Sequence, residues 1–134
     1  MDRIKVGLLG YGLAGSVFHA PLIRLEPRLQ LAAIHSSRAA QIARECPDVA
    51  VIGSADDLIS RDDLDLIVVA TPNDSHFAYA QKALEAGKHV VVDKPLALDS
   101  GQADALIALA QKEKRHLSVF QNRRWDSGFL SLQA

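Results

Sequence analysis

Directly after a short apolar run, Ile4-Lys5-Val6-Gly7-Leu8-Leu9, stands Gly10-Tyr11-Gly12-Leu13-Ala14-Gly15, which fits the spacing G-x-G-x-x-G. Three glycines in six residues arise by chance, so the pattern draws its meaning from its surroundings. The run before it suits a buried parallel strand. After it Ala14, Val17, Phe18, Leu22 and Leu25 recur at helical spacing, with Pro21 expected to kink or shorten the helix. Each glycine then has its own task. Gly10 permits the tight turn, Gly12 lets backbone approach a pyrophosphate, and Gly15 allows close packing of helix on strand. The helix start offers free N–H groups and a positive dipole end to phosphates. A plain strand–helix turn is the competing reading, but strand, turn and helix in this order predict a dinucleotide site over residues 10–15.

The rest of the chain repeats the alternation. Leu29 to His35 reads as a second strand, and Ser37 can cap a short helix that runs to about Cys46 and stops at Pro47. Val49 to Ile52 is a brief strand, and Gly53-Ser54 opens a helical stretch from Ala55 to Ser60. Asp65 to Ala70 is a clear strand ended by Thr71-Pro72-Asn73. Phe77, Ala80 and Leu84 mark a helical face closed by Gly87. His89 to Val92 is a β-branched run ending at Asp93-Lys94-Pro95. Asp99 with Gln102 resembles a capping box for a helix to about Lys114, and Leu117 to Phe120 is a last strand. Strands alternating with helices imply βαβ units, which right-handed crossovers wind into a sheet covered on both faces. The expected fold is α/β, a doubly wound parallel sheet of about six strands, the Rossmann fold.

Composition narrows the function. The 134 residues, 49% of them apolar, are room for one domain with a single core. Fifteen Lys+Arg against 16 Asp+Glu leave a net charge of −1, which argues against a nucleic-acid face as the main function. One cysteine, Cys46, excludes an intrachain disulfide framework and fits a reducing, cytoplasmic compartment. Apolar runs such as Leu66 to Ala70 are too short to cross a bilayer, and no signal-peptide pattern precedes the first strand. No metal-ligand spacing is evident.

The end of the second strand bears on the choice of cofactor. A carboxylate for the ribose is expected about 20 residues after the glycine turn. His35-Ser36-Ser37-Arg38 stands there instead. Ser36, Ser37 and Arg38 suit a 2′-phosphate, because a guanidinium grips phosphate oxygens bidentately. A cation at a helix start also opposes the dipole, so it gains more when an anion binds. NADP is expected over NAD.

The glycine turn, then Ser16-Val17-Phe18-His19-Ala20-Pro21, Ala70-Thr71-Pro72-Asn73 and Asp93-Lys94-Pro95, together resemble the Gfo/Idh/MocA oxidoreductases. Gly87 to Leu98 and the stretch from Ser118 to Asp126 are similar to the branch that includes scyllo-inositol dehydrogenases. The resemblance implies that Thr71, Pro72 and Asn73 lie along the cofactor, with His76 nearby. It implies an active-site lysine at Lys94, often beside a cis bond at the following proline, here Pro95. Asp93 stands where the family usually has glutamate. Independently, ligands of open parallel sheets bind past the carboxyl ends of the strands, so Gly10, Thr71 and Lys94 are expected in one crevice. Asn122 and Arg123 follow the last strand and are candidates for the nicotinamide side.

The expected function is the cofactor-binding domain of an NADP(H)-dependent oxidoreductase acting on a sugar, an inositol or a related polyol. Residues 1–122 would form that domain, and residues 123–134 the start of a connection to a second, substrate-binding domain not contained in the chain. The resemblance implies that this second domain brings an Asp-x-x-x-His motif and the contact of a homo-oligomer. On that reading the chain alone binds cofactor and turns over little or nothing. The alternative is a non-catalytic nucleotide-binding or sensor domain, which needs the glycine turn but not Lys94. A repressor would need a basic helix-turn-helix segment, and none is evident.

Overall fold

The computed structural model of the chain describes residues 2–120. Six strands form one parallel sheet in the order β3-β2-β1-β4-β5-β6. They are β1 (Ile4–Leu9), β2 (Leu29–His35), β3 (Ala50–Val51), β4 (Leu66–Val69), β5 (His89–Asp93) and β6 (Leu117–Phe120). From β1 the chain steps outward through β2 to β3, then returns to the other side of β1 and steps outward through β4 to β6. The direction of winding therefore reverses between β1 and β4, which opens the sheet at its carboxyl edge between those two strands.

Helices cover both faces because successive side chains of each strand point to opposite sides. Val6, Leu8, Ile34 and Val68 pack with Ile23 and Ile42, from α1 (Ala20–Leu25) and α2 (Ala39–Glu45). Leu9, Ile67, Val69 and Val92 pack on the opposite face. Their partners there include Leu58, Leu84 and Leu106, from α3 (Ala55–Ile59), α4 (His76–Glu85) and α5 (Ser100–Glu113). Leu8, Leu9, Ile34 and Ile67 are fully buried, so truncation of any of them to alanine costs about 2–5 kcal/mol. No helix among the described residues is long and apolar enough to cross a membrane.

Three local expectations differ in detail. Pro21 lies in the first turn of the six-residue α1, where a missing N–H costs least. The segment Ala14–His19 instead winds as a π-helix, with the Ala20 N–H donating to the Gly15 carbonyl, before α1 resumes. The wider turn accommodates a ring that lacks a donor and would crowd the carbonyl four residues back. Ser37 is not the cap of α2. Arg38 occupies that place and donates its N–H to Ser36 Oγ at 3.2 Å, so the helix starts at Ala39. Asp99 caps α5 through the Gln102 N–H at 2.8 Å, yet Gln102 Oε1 accepts from the Leu98 N–H, one residue before the cap.

Candidate functional site

The glycine turn bends where β1 ends. Gly10 has φ of +97°, a conformation that L side chains rarely adopt, and a Cβ there would lie 2.5 Å from the Ala70 carbonyl oxygen. Its N–H donates to the His35 carbonyl at 2.9 Å, and the Ala70 N–H to the Leu9 carbonyl at 2.8 Å, so the three loops are tied by backbone. A Cβ on Gly15 would overlap the Gly10 carbonyl, whereas one on Gly12 would meet nothing within 4 Å. Gly10 and Gly15 are thus glycine for the fold. Gly12 borders open space, as a residue reserved for close approach by a ligand would.

That space is a crevice of about 440 Å³ lined by residues 10–12, by His35, Ser36, Ser37 and Arg38, by Ala70, Thr71 and Pro72, and by Tyr79. It brings together Gly10, Gly12, Ser36, Ser37, Arg38, Thr71 and Pro72 from the sequence expectations. Arg38 is exposed and has no carboxylate in ion-pair contact among the described residues. Backbone turn, open Gly12 face, two hydroxyls and a guanidinium can together hold a dinucleotide by its phosphates. Among the described residues no group of three or more His, Cys, Asp or Glu side chains could hold a metal ion.

Tyr11 joins the crevice differently from its neighbours. Its side chain is buried at 3% exposure, and the phenol lies 3.4 Å from Glu45 Oε1 and 3.7 Å from Cys46 Sγ. Burial, then the Cys46 contact, pushes the phenol above its ordinary pKa, so it stays protonated and anchors the turn to the end of α2. Leu13, Ala14 and Asn73 lie beside the crevice rather than in its lining; Leu13 is 73% exposed. Tyr79, half-buried in α4, is a lining residue that helical periodicity alone does not single out.

Lys94 follows β5 and is exposed, with a cis peptide bond to Pro95. It does not line the crevice with Gly10 and Thr71, because β4 lies between β1 and β5 and adjacent strands are spaced about 4.8 Å apart. Two histidines organise this second corner. His19 is 5% exposed; its Nε2 lies 3.3 Å from Asp93 Oδ1, and its ring is 4.6 Å from that of Phe120. Desolvation holds the His19 imidazolium below its ordinary pKa, against the opposing pull of Asp93. Asp93 thereby closes the gap between β5 and the π-helical turn. His76 is fully buried, with Nδ1 2.7 Å from the Pro95 carbonyl oxygen and Nε2 2.7 Å from that of Thr71. It leaves no ring nitrogen for a ligand, so the expectation that it contacts cofactor directly gives way to a tie between two loops. Asn122 and Arg123 lie outside the described residues.

The model of an oxidoreductase family with an NAD-binding Rossmann fold, GFO_IDH_MocA, matches residues 4–121. The Escherichia coli K12 protein YdgJ, an uncharacterized oxidoreductase, is 52% identical over 132 residues, covering 98% of this chain and 38% of its own length. The NADP(+)-dependent scyllo-inositol 2-dehydrogenase IolW of Bacillus subtilis 168 is 38% identical over 133 residues, covering 99% of this chain and 37% of its own. A crystal structure of a candidate oxidoreductase from Klebsiella pneumoniae superimposes with a TM-score of 0.95 at 50% identity, covering 99% of this chain and 39% of that one. The chain spans well under half the length of each.

Proposed function

The chain belongs to the Gfo/Idh/MocA oxidoreductase family, as its NAD-binding Rossmann domain, and on that premise we propose that it serves an NADP(H)-dependent dehydrogenase of a polyol or sugar. One observation carries the preference for NADP. The crevice past β2 ends in Ser36, Ser37 and an Arg38 that pairs with no carboxylate among the described residues, where an NAD site would present a carboxylate. The NADP(+) dependence and inositol substrate of IolW, 38% identical to this chain, support the same reading.

Bound there, the nicotinamide would accept or give the hydride. The chain's own part is placement and charge. Residues 10–12 hold the pyrophosphate by backbone, Arg38 and the two serines hold the 2′-phosphate, and Thr71, Pro72 and Asn73 run alongside. Lys94 stands past β5 as the catalytic cation. As hydride leaves a carbinol carbon, its hydroxyl proton must pass to a base, the role the resemblance gives to the histidine of the second domain's Asp-x-x-x-His motif. The Lys94 ammonium, donating to that oxygen, lowers the cost of the developing alkoxide. Residues 1–122 form the cofactor unit, and residues 123–134 lead toward a substrate domain of the complete, homo-oligomeric, cytoplasmic enzyme.

The test is scyllo-inositol-dependent reduction of NADP by the full-length protein and its Lys94→Ala variant. Turnover in the parent and its loss in the variant support the reading. Intact turnover in the variant removes Lys94 from the catalytic role, and a full-length protein that binds cofactor but oxidises no polyol or sugar favours the non-catalytic reading.

A further inference from the structure

The crevice and the Lys94 corner are built on different strands, and one side chain spans them. His76 begins α4, at the end of the short 3₁₀ turn Asn73–Ser75, and is 0% exposed. One ring nitrogen faces the Thr71 carbonyl, in the loop after β4, and the other faces the Pro95 carbonyl, in the loop after β5; both distances are 2.7 Å. We propose that His76 is a positioning residue that sets the distance between the cofactor-holding loop and the lysine-bearing loop. The proposal rests on the function proposed above, because it assigns those two loops to cofactor and substrate.

The local chemistry supports this. Both partners are backbone carbonyls, which a side chain of suitable shape can reach without competing with the sheet. Which nitrogen donates depends on the tautomer; in either one the imidazole lies between the two carbonyls and fixes the spacing of their loops. Both contacts are part-buried and converge on a ring that is itself fully buried, so the two loops are held while the ring is in place. Thr71 Oγ1 also lies 2.5 Å from Ser75 Oγ, and Ser75 Oγ donates to the Pro72 carbonyl at 2.6 Å. The crevice loop is thus a closed turn, and among the described residues its side-chain tether to the loop after β5 is His76.

The two nitrogens can be separated by substitution. Asparagine places an amide near the Nδ1 position and keeps the Pro95 tie, while glutamine reaches the Nε2 position and keeps the Thr71 tie. Titrating the chain with NADPH, His76→Asn is expected to weaken binding at least tenfold and His76→Gln less than threefold. Amide hydrogen exchange should localise each loss, speeding residues 71–75 in the first variant and residues 94–98 in the second. Equal affinities in the parent and both variants, or a uniform rise in exchange over the sheet, would overturn the proposal. A parent chain that binds no NADPH would instead count against the function proposed above. Ring-nitrogen NMR of the unsubstituted chain reads the tether even where a variant does not fold: a protected ring N–H proton on His76 is expected, and a freely exchanging one contradicts it.

Discussion

β5 carries a lysine just beyond each end, and the two could hardly differ more. Lys88, before the strand, is 7% exposed, and its Nζ donates to the Arg61 and Leu64 carbonyls at 2.6 and 2.8 Å. Lys94, after the strand, is exposed. Lys88 is committed to its own fold, closing the loop that precedes β4. Lys94 makes no side-chain hydrogen bond or ion pair among the described residues and stands at the edge where parallel sheets bind ligands. Residue type says nothing of this difference, and position along the strand says most of it.

The comparison breaks most readily at Lys94. Lys94→Ala should cut turnover of the full-length protein by roughly 10²-fold or more while leaving the melting temperature within about 2 °C, checked by steady-state kinetics and calorimetry. Lys88→Met should do the reverse. It strands two carbonyls and should destabilise the chain by about 2–3 kcal/mol in urea unfolding, with NADPH affinity unchanged. A catalytic loss at Lys88 without destabilisation would erase the distinction.

The glycine turn repeats the lesson on a smaller scale. Gly12→Ala should fold with the stability of the parent, since the new methyl meets nothing within 4 Å, yet bind NADPH about tenfold more weakly by filling the approach to the turn. Gly15→Ala should lose stability first, because its methyl collides with the Gly10 carbonyl. Comparing the two by calorimetric titration and urea unfolding separates glycine kept for a ligand from glycine kept for packing.

The smallest effect concerns pH. Desolvation lowers the pKa of both His19 and His89 in the folded chain, so the unfolded chain, titrating near 6.5, takes up protons first. Stability is complete above about pH 6.5 and falls as pH drops through that value, by at most about 1.4 kcal/mol per pH unit for each group. His19→Gln should flatten the fall of unfolding free energy as pH drops below about 6.5.

Local chemistry made much of this readable from residues alone. β-branched runs located β4 and β5, and Gly87 closes α4 at a φ of +80°. Ser54 accepts from the Asp57 N–H at 3.0 Å as a serine before a helix should. What stayed hidden depends on partners distant in sequence. The Tyr11 anchor to Cys46, the His19–Asp93 pair and the Lys88 carbonyl cage join residues 35, 74 and 24 or more positions apart. Periodicity carries no record of such ties. The π turn over Ala14–His19 and the serine turn before Arg38 were missed for another reason, since several backbone solutions satisfy the same residues. The reading of His76 shows both effects: the resemblance located it beside the cofactor loop, and only its two carbonyl partners revealed what it does there.

Calorimetric titration of the chain with NADPH and NADH most directly tests the proposal that the crevice beside the glycine turn takes a dinucleotide by its 2′-phosphate. NADPH should bind at least tenfold more tightly than NADH, and Arg38→Ala should bring the two within about threefold by weakening NADPH alone. Equal affinities in the unsubstituted chain, or a preference untouched by Arg38→Ala, would contradict it.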